Sequence, residues 1–184
     1  MDLKLLIPGS LSDFYNIHPL FVHAPLALLP SALLLFGAAL WRKRPAWITA
    51  AKACVYLGAL GAVLAVLTGW FAEDSIPHNA TIHGMMETHK AAAITVMILA
   101  LALAGVSFKL PLESKSQRQF FLGMLLITNL LLVAVGDLGA RMVYLEGAGV
   151  KPAAAVIAEP GEATPHRHDG VGSEEEHHAA PHNH

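Results

Sequence analysis

Two histidines five residues apart open the chain's chemistry: His18 and His23, in the segment His18-Pro19-Leu20-Phe21-Val22-His23 at the mouth of a long apolar run. Imidazole is at once a metal ligand, a proton carrier and a hydrogen-bonding group. Burying it among apolar residues is costly unless something binds it, and an ionisable side chain within a membrane segment is read first as functional. His78, His83 and His89 precede another apolar run, and six more histidines follow residue 160: His166, His168, His177, His178, His182 and His184.

The elements that must position these rings are membrane spans. Of 184 residues, 54% are hydrophobic and 14% charged, against about 25% charged in a soluble domain. The run 17–41 carries no charge besides its two histidines, and at about 1.5 Å rise per residue it is long enough to cross a hydrocarbon core of about 30 Å. Pro25 and Pro30 lie inside it and predict a kink packed against protein rather than a break. Further spans are expected over 53–72, 82–108 and 119–147, with Asn79 or Thr81 capping the third. In the second, Gly58 and Gly61 beside Ala59 and Ala62 would admit a close backbone or a flat ligand. The expected fold is all-α, an integral membrane four-helix bundle. It has an N-terminal segment, 1–16, outside the cytoplasm and no cleavable signal peptide. From 151 to 184 the composition shifts to Ala, Pro, Gly, Glu and His without apolar periodicity, the pattern of a disordered tail.

Basic residues set the orientation. Arg42, Lys43, Arg44 and Lys52 flank the first loop and Lys109, Lys115 and Arg118 the third, whereas only Lys90 and Arg141 lie near helix ends on the other side. The positive-inside rule then puts both termini outside the cytoplasm, in a bacterial inner membrane the periplasm. With helices alternating in direction, His18, His23, His78, His83 and His89 all fall in one layer near the outer face, where bundles build cofactor sites from facing helices.

Spacing limits how they share a ligand. His18 and His23 differ by about 140° around a helix, and His83 and His89 by about 120° the other way, so one ligand from each helix is the simpler arrangement. A bis-histidine haem b meets that condition, with two axial imidazoles on opposite sides of an apolar macrocycle. The single cysteine, Cys54, rules out covalent attachment through a CxxCH motif. His23 and His89, both near the first turns of apolar spans, are the expected axial ligands to the haem iron. His18 and His83 are a second, more superficial pair that would allow a second haem, and His18 before Pro19 could instead serve the helix start. Lys90 and Arg141 could neutralise propionates, with Trp70 and Tyr144 as interfacial anchors. A non-haem copper or zinc ion, or histidines held by hydrogen bonds alone, are the alternatives.

The HPLFVH start followed by APLAL, the LTGW end of the second span, the THKAAAI start of the third and the closing GDLGARMVYLEGAGV resemble a bacterial family of four-transmembrane-helix proteins known as a domain of unknown function. The resemblance covers about 16–150 and implies a cytochrome-b-like membrane protein. It aligns His18 and His23 with the family's helix-one pair and His89 with a histidine at the start of helix three. Some members carry a histidine where this chain has Asp137, which with Arg141 at i+4 suits an ion pair.

The leading functional expectation is a membrane-embedded haem protein passing electrons between the quinone pool, or a membrane partner, and a periplasmic redox protein, as a subunit of a larger complex. An independent enzyme is not indicated, since no acid/base pair, nucleophile motif or phosphate loop is visible. A net charge of −2 gives no basic surplus for nucleic acid. The alternatives are a metal-handling protein whose tail histidines bind copper, zinc or nickel weakly, and a cofactor-free scaffold subunit.

Overall fold

The computed structural model describes residues 17–73 and 80–148. The expectations for 1–16, His78, Asn79 and the tail with His166, His168, His177, His178, His182 and His184 lie outside the described residues. Four helices account for nearly all the rest: α1 His18–Arg42, α2 Pro45–Glu73, α3 Ala80–Lys109 and α4 Lys115–Tyr144, with no strand among the described residues. All four are long and apolar enough to cross a membrane. Their outward faces expose large apolar side chains such as Leu34, Phe71, Phe108 and Leu130, as helices in contact with lipid do.

Local sequence explains the ends. Pro19 sits in the first turn of α1, where its missing N–H is not needed. Lys43 closes that helix in the left-handed region at φ 53°, and Arg44 N–H donates to the Ala39 carbonyl at 3.1 Å. Pro45 then starts α2 at once, so α1 and α2 must run antiparallel as neighbours. α2 begins at Pro45 rather than near Ala53, because Lys52 interrupts the apolar run without interrupting the helix. Lys52 reaches sideways and donates to the Leu110 carbonyl at 3.3 Å, tying α2 to the α3–α4 loop. Ser114 Oγ caps α4 by accepting from Gln117 N–H at 3.2 Å, while Gln117 Oε1 accepts from Glu113 N–H, a reciprocal cap close to a capping box. α4 ends at Tyr144, short of Gly147, which has φ 68°.

The helices form a ring. Each packs on its sequence neighbours and α4 closes on α1, while α1 and α3, and α2 and α4, stand on the diagonals without close backbone approach. One core layer, toward the α1–α2 turn, joins Phe36, Val55, Leu103 and Phe121, with the Phe36 and Phe121 rings edge to face at 4.9 Å. A middle layer joins Leu29, Ala59, Ala62, Val96, Ala100 and Leu132. Beyond it, at the end shared by the start of α1, the end of α2, the start of α3 and the end of α4, lie His18, His23, His83 and His89.

Candidate functional site

α2 offers α1 a row of small residues that brings the two backbones close. A Cβ placed on Gly61 would stand 2.7 Å from Ala24 Cβ and 3.0 Å from Pro25, and one on Gly58 would stand 2.9 Å from the end of Leu29. The same row continues through Ala65 to Gly69, and there α1 presents His18. Its Nδ1 is 2.9 Å from the Ala65 carbonyl and 3.3 Å from Thr68 Oγ1. A carbonyl only accepts, so Nδ1 carries the proton and Nε2 the lone pair. Thr68 turns its own proton to the Leu64 carbonyl at 2.8 Å, which leaves its oxygen to accept. This is the carbonyl-to-imidazole arrangement that fixes tautomer and ring orientation in metal-ligating histidines.

His89, half-buried on α3, mirrors this against α4. A Cβ on Gly139 would stand 3.2 Å from His89 Cε1 and 3.7 Å from Nδ1. The Val135 carbonyl faces the ring without completing a well-aligned hydrogen bond to Nδ1, which is buried and unpartnered. Across the diagonal, the His18 and His89 rings have centroids 6.4 Å apart and planes at 89°.

The other expected residues are placed differently. His23, expected opposite His89, is exposed on the outer surface of α1; its 140° offset from His18 means that seating His18 on α2 turns His23 away. The ring the structure brings to His89 is therefore that of His18, the member of the helix-one pair rated lower from sequence. His83 is exposed, within electrostatic reach of Glu87. Lys90 Nζ lies 3.0 Å from Glu73 and 2.6 Å from Glu87, and Arg141 Nε 2.8 Å from Asp137. Both cations expected near propionates thus already face carboxylates, and Lys90 clamps α3 to the end of α2 one residue from His89. Trp70 and Tyr144 are exposed at this same end, as interfacial anchors would be. Among the described residues no group of three or more His, Cys, Asp or Glu side chains could hold a metal ion. Sequence reasoning missed Ala65, Thr68, Gly69, Val135 and Gly139. The available signal was the glycine in each of the LTGW and GDLGAR segments.

Residues 15–152 match the family described as "Predicted membrane protein (DUF2231)", and the chain belongs to that family. No curated protein and no solved structure matches it.

Proposed function

We propose that this DUF2231 member is a b-type haem protein of the bacterial inner membrane, with His18 and His89 as axial ligands and both termini periplasmic. Electrons pass between the quinone pool or a membrane partner and a periplasmic redox protein, with the chain acting as a subunit of a larger complex. The observation that carries this reading is the diagonal pair of half-buried imidazoles, 6.4 Å between centroids. A metal ion held between the two helices would take one nitrogen from each ring.

The donor set also fits. Two facing imidazoles, with no third ligand beside them among the described residues, suit the axial positions of a haem, whereas a structural zinc site needs four ligands. Ala65 and Thr68 hold His18 in the tautomer whose Nε2 carries the lone pair, and the buried Nδ1 of His89 lacks a partner. Haem b bound there would supply reversible one-electron chemistry. The residues around it orient the rings: Gly69 and Gly139 back the imidazoles, and the apolar layer of Leu29, Val96 and Leu132 lies deeper in the bundle. Orientation is supported by the cations Arg42, Lys43, Arg44, Lys52, Lys109, Lys115 and Arg118, which gather at the bundle end opposite the imidazoles.

The test is optical. Protein purified from haem-replete cells should show a b-type reduced-minus-oxidised spectrum on dithionite addition, with haem near one per chain. A colourless protein with no bound haem would overturn the reading.

A further inference from the structure

The two histidine seats repeat the same local construction. On α2, Ala65 offers its carbonyl to His18 and Gly69, one turn later, removes the Cβ that would meet the ring at 3.1 Å from Cε1 and 3.3 Å from Nδ1. On α4, Val135 faces His89 and Gly139, one turn later, removes the Cβ that would stand 3.2 Å from Cε1. In both, a helix carbonyl at position i is approached by an imidazole edge through the gap left by glycine at i+4. The histidine sits at nearly the same sequence distance ahead of each seat, and α1–α2 and α3–α4 are successive antiparallel hairpins. Other glycines, such as Gly105 and Gly123, have no atom within 4 Å of a Cβ. Among the described glycines, close approach to an imidazole is thus particular to the two seats.

A glycine in mid-helix is otherwise a poor choice, since alanine is the better helix former. At Gly69 and Gly139 the added methyl would have to push an imidazole outward by a few tenths of an ångström. For His18 that stretches the 2.9 Å bond to the Ala65 carbonyl, which holds the proton on Nδ1. We propose that Gly69 and Gly139 are positioning residues. Each opens a notch that seats one imidazole against the neighbouring helix, and together the notches hold the two ring planes perpendicular across the bundle. The ligand they serve is a planar metal macrocycle taking one imidazole on each side, so this inference rests on the haem reading.

The experiment uses the full chain in lipid nanodiscs and has one arm independent of haem. With ¹⁵N-labelled histidine, the wild-type spectrum should show His18 with Nδ1 protonated and its nitrogen in contact with the ¹³C-labelled Ala65 carbonyl. Gly69→Ala should weaken that contact, whereas Gly123→Ala should leave it as in wild type. Absence of the contact in wild type, or a contact of undiminished intensity in Gly69→Ala, would overturn the proposal; because the wild-type measurement stands alone, poor folding of the variant does not rescue the idea. In the second arm, protein loaded with haemin should give the highly anisotropic low-spin ferric resonance of perpendicular imidazole planes. Gly69→Ala and Gly139→Ala should each change it to the rhombic form and weaken haem binding by about 10–100-fold. A rhombic signal in wild type, or unchanged signals in both variants, would contradict the proposal. Failure of wild type to bind haemin would instead count against the function, leaving the nitrogen measurement to judge the His18 seat.

Discussion

His18 and His89 meet across the diagonal of the bundle, with ring centroids 6.4 Å apart and planes at 89°, although α1 and α3 themselves make no close backbone contact. Two imidazoles reach across that space because each leans on a helix belonging to the other diagonal, His18 on α2 and His89 on α4. The site is thus a product of all four helices, and disturbing any interface near this end should be felt there.

The α1–α2 interface is the first such lever. Gly61→Ala drives a methyl group to within 2.7 Å of Ala24 Cβ and 3.0 Å of Pro25, groups that have no rotamer with which to yield. Overpacking of this kind costs about 1–3 kcal/mol. Gly58→Ala meets the Leu29 side chain at 2.9 Å from Cδ2 and 3.0 Å from Cγ, with Leu28 Cβ at 3.4 Å, and should cost less because the Leu29 side chain can turn aside. Thermal unfolding of the two variants in the same detergent checks the ranking.

The clamp beside His89 gives a second prediction. Glu73 is the more buried of the two carboxylates on Lys90 and spans from α2 to α3, whereas Glu87 pairs within α3 at i+3. Glu73→Gln should therefore lower the melting temperature more than Glu87→Gln, since an exposed pair within one helix contributes little. Equal effects would show that the cross-helix tie is not what orders this rim.

Asn129 makes a third. Buried on α4, it donates from Nδ2 to the Leu125 carbonyl at 2.8 Å and to the Leu29 carbonyl of α1 at 3.3 Å, while its Oδ1 has no partner. An unsatisfied buried acceptor costs about 1–3 kcal/mol, so Asn129→Leu, which keeps the branched shape and removes the polar atoms, should be neutral or stabilising. Asn129→Ala, which leaves a cavity between α1 and α4, should lose about 2 kcal/mol. Denaturant or thermal titration of both variants separates these outcomes.

The four-helix fold was legible because membrane spans announce themselves by length: apolar runs long enough to cross a bilayer leave few alternatives to a helix. The histidine layer at one end followed from alternating direction alone. Which histidine of helix one faces inward did not follow. The 140° between His18 and His23 says that they face apart, but the choice is made by Gly58, Gly61 and Gly69, whose depth as notches depends on how closely α1 docks. Ala65 and Val135 were invisible for a related reason: they act through their backbone carbonyls, and every residue has one. The start of α2 was masked because hydropathy reports what enters the membrane, and the helix runs on past Lys52 to Pro45.

The central claim is that the His18–His89 pair holds the cofactor, and it divides the two histidines of helix one most sharply. The deciding measurement is haem content and the reduced-minus-oxidised spectrum of wild type beside His18→Ala, His89→Ala and His23→Ala, purified in parallel and normalised to folded protein. Haem retained by His23→Ala and lost by both His18→Ala and His89→Ala is the predicted result. Haem lost with His23→Ala and kept by His18→Ala would contradict it.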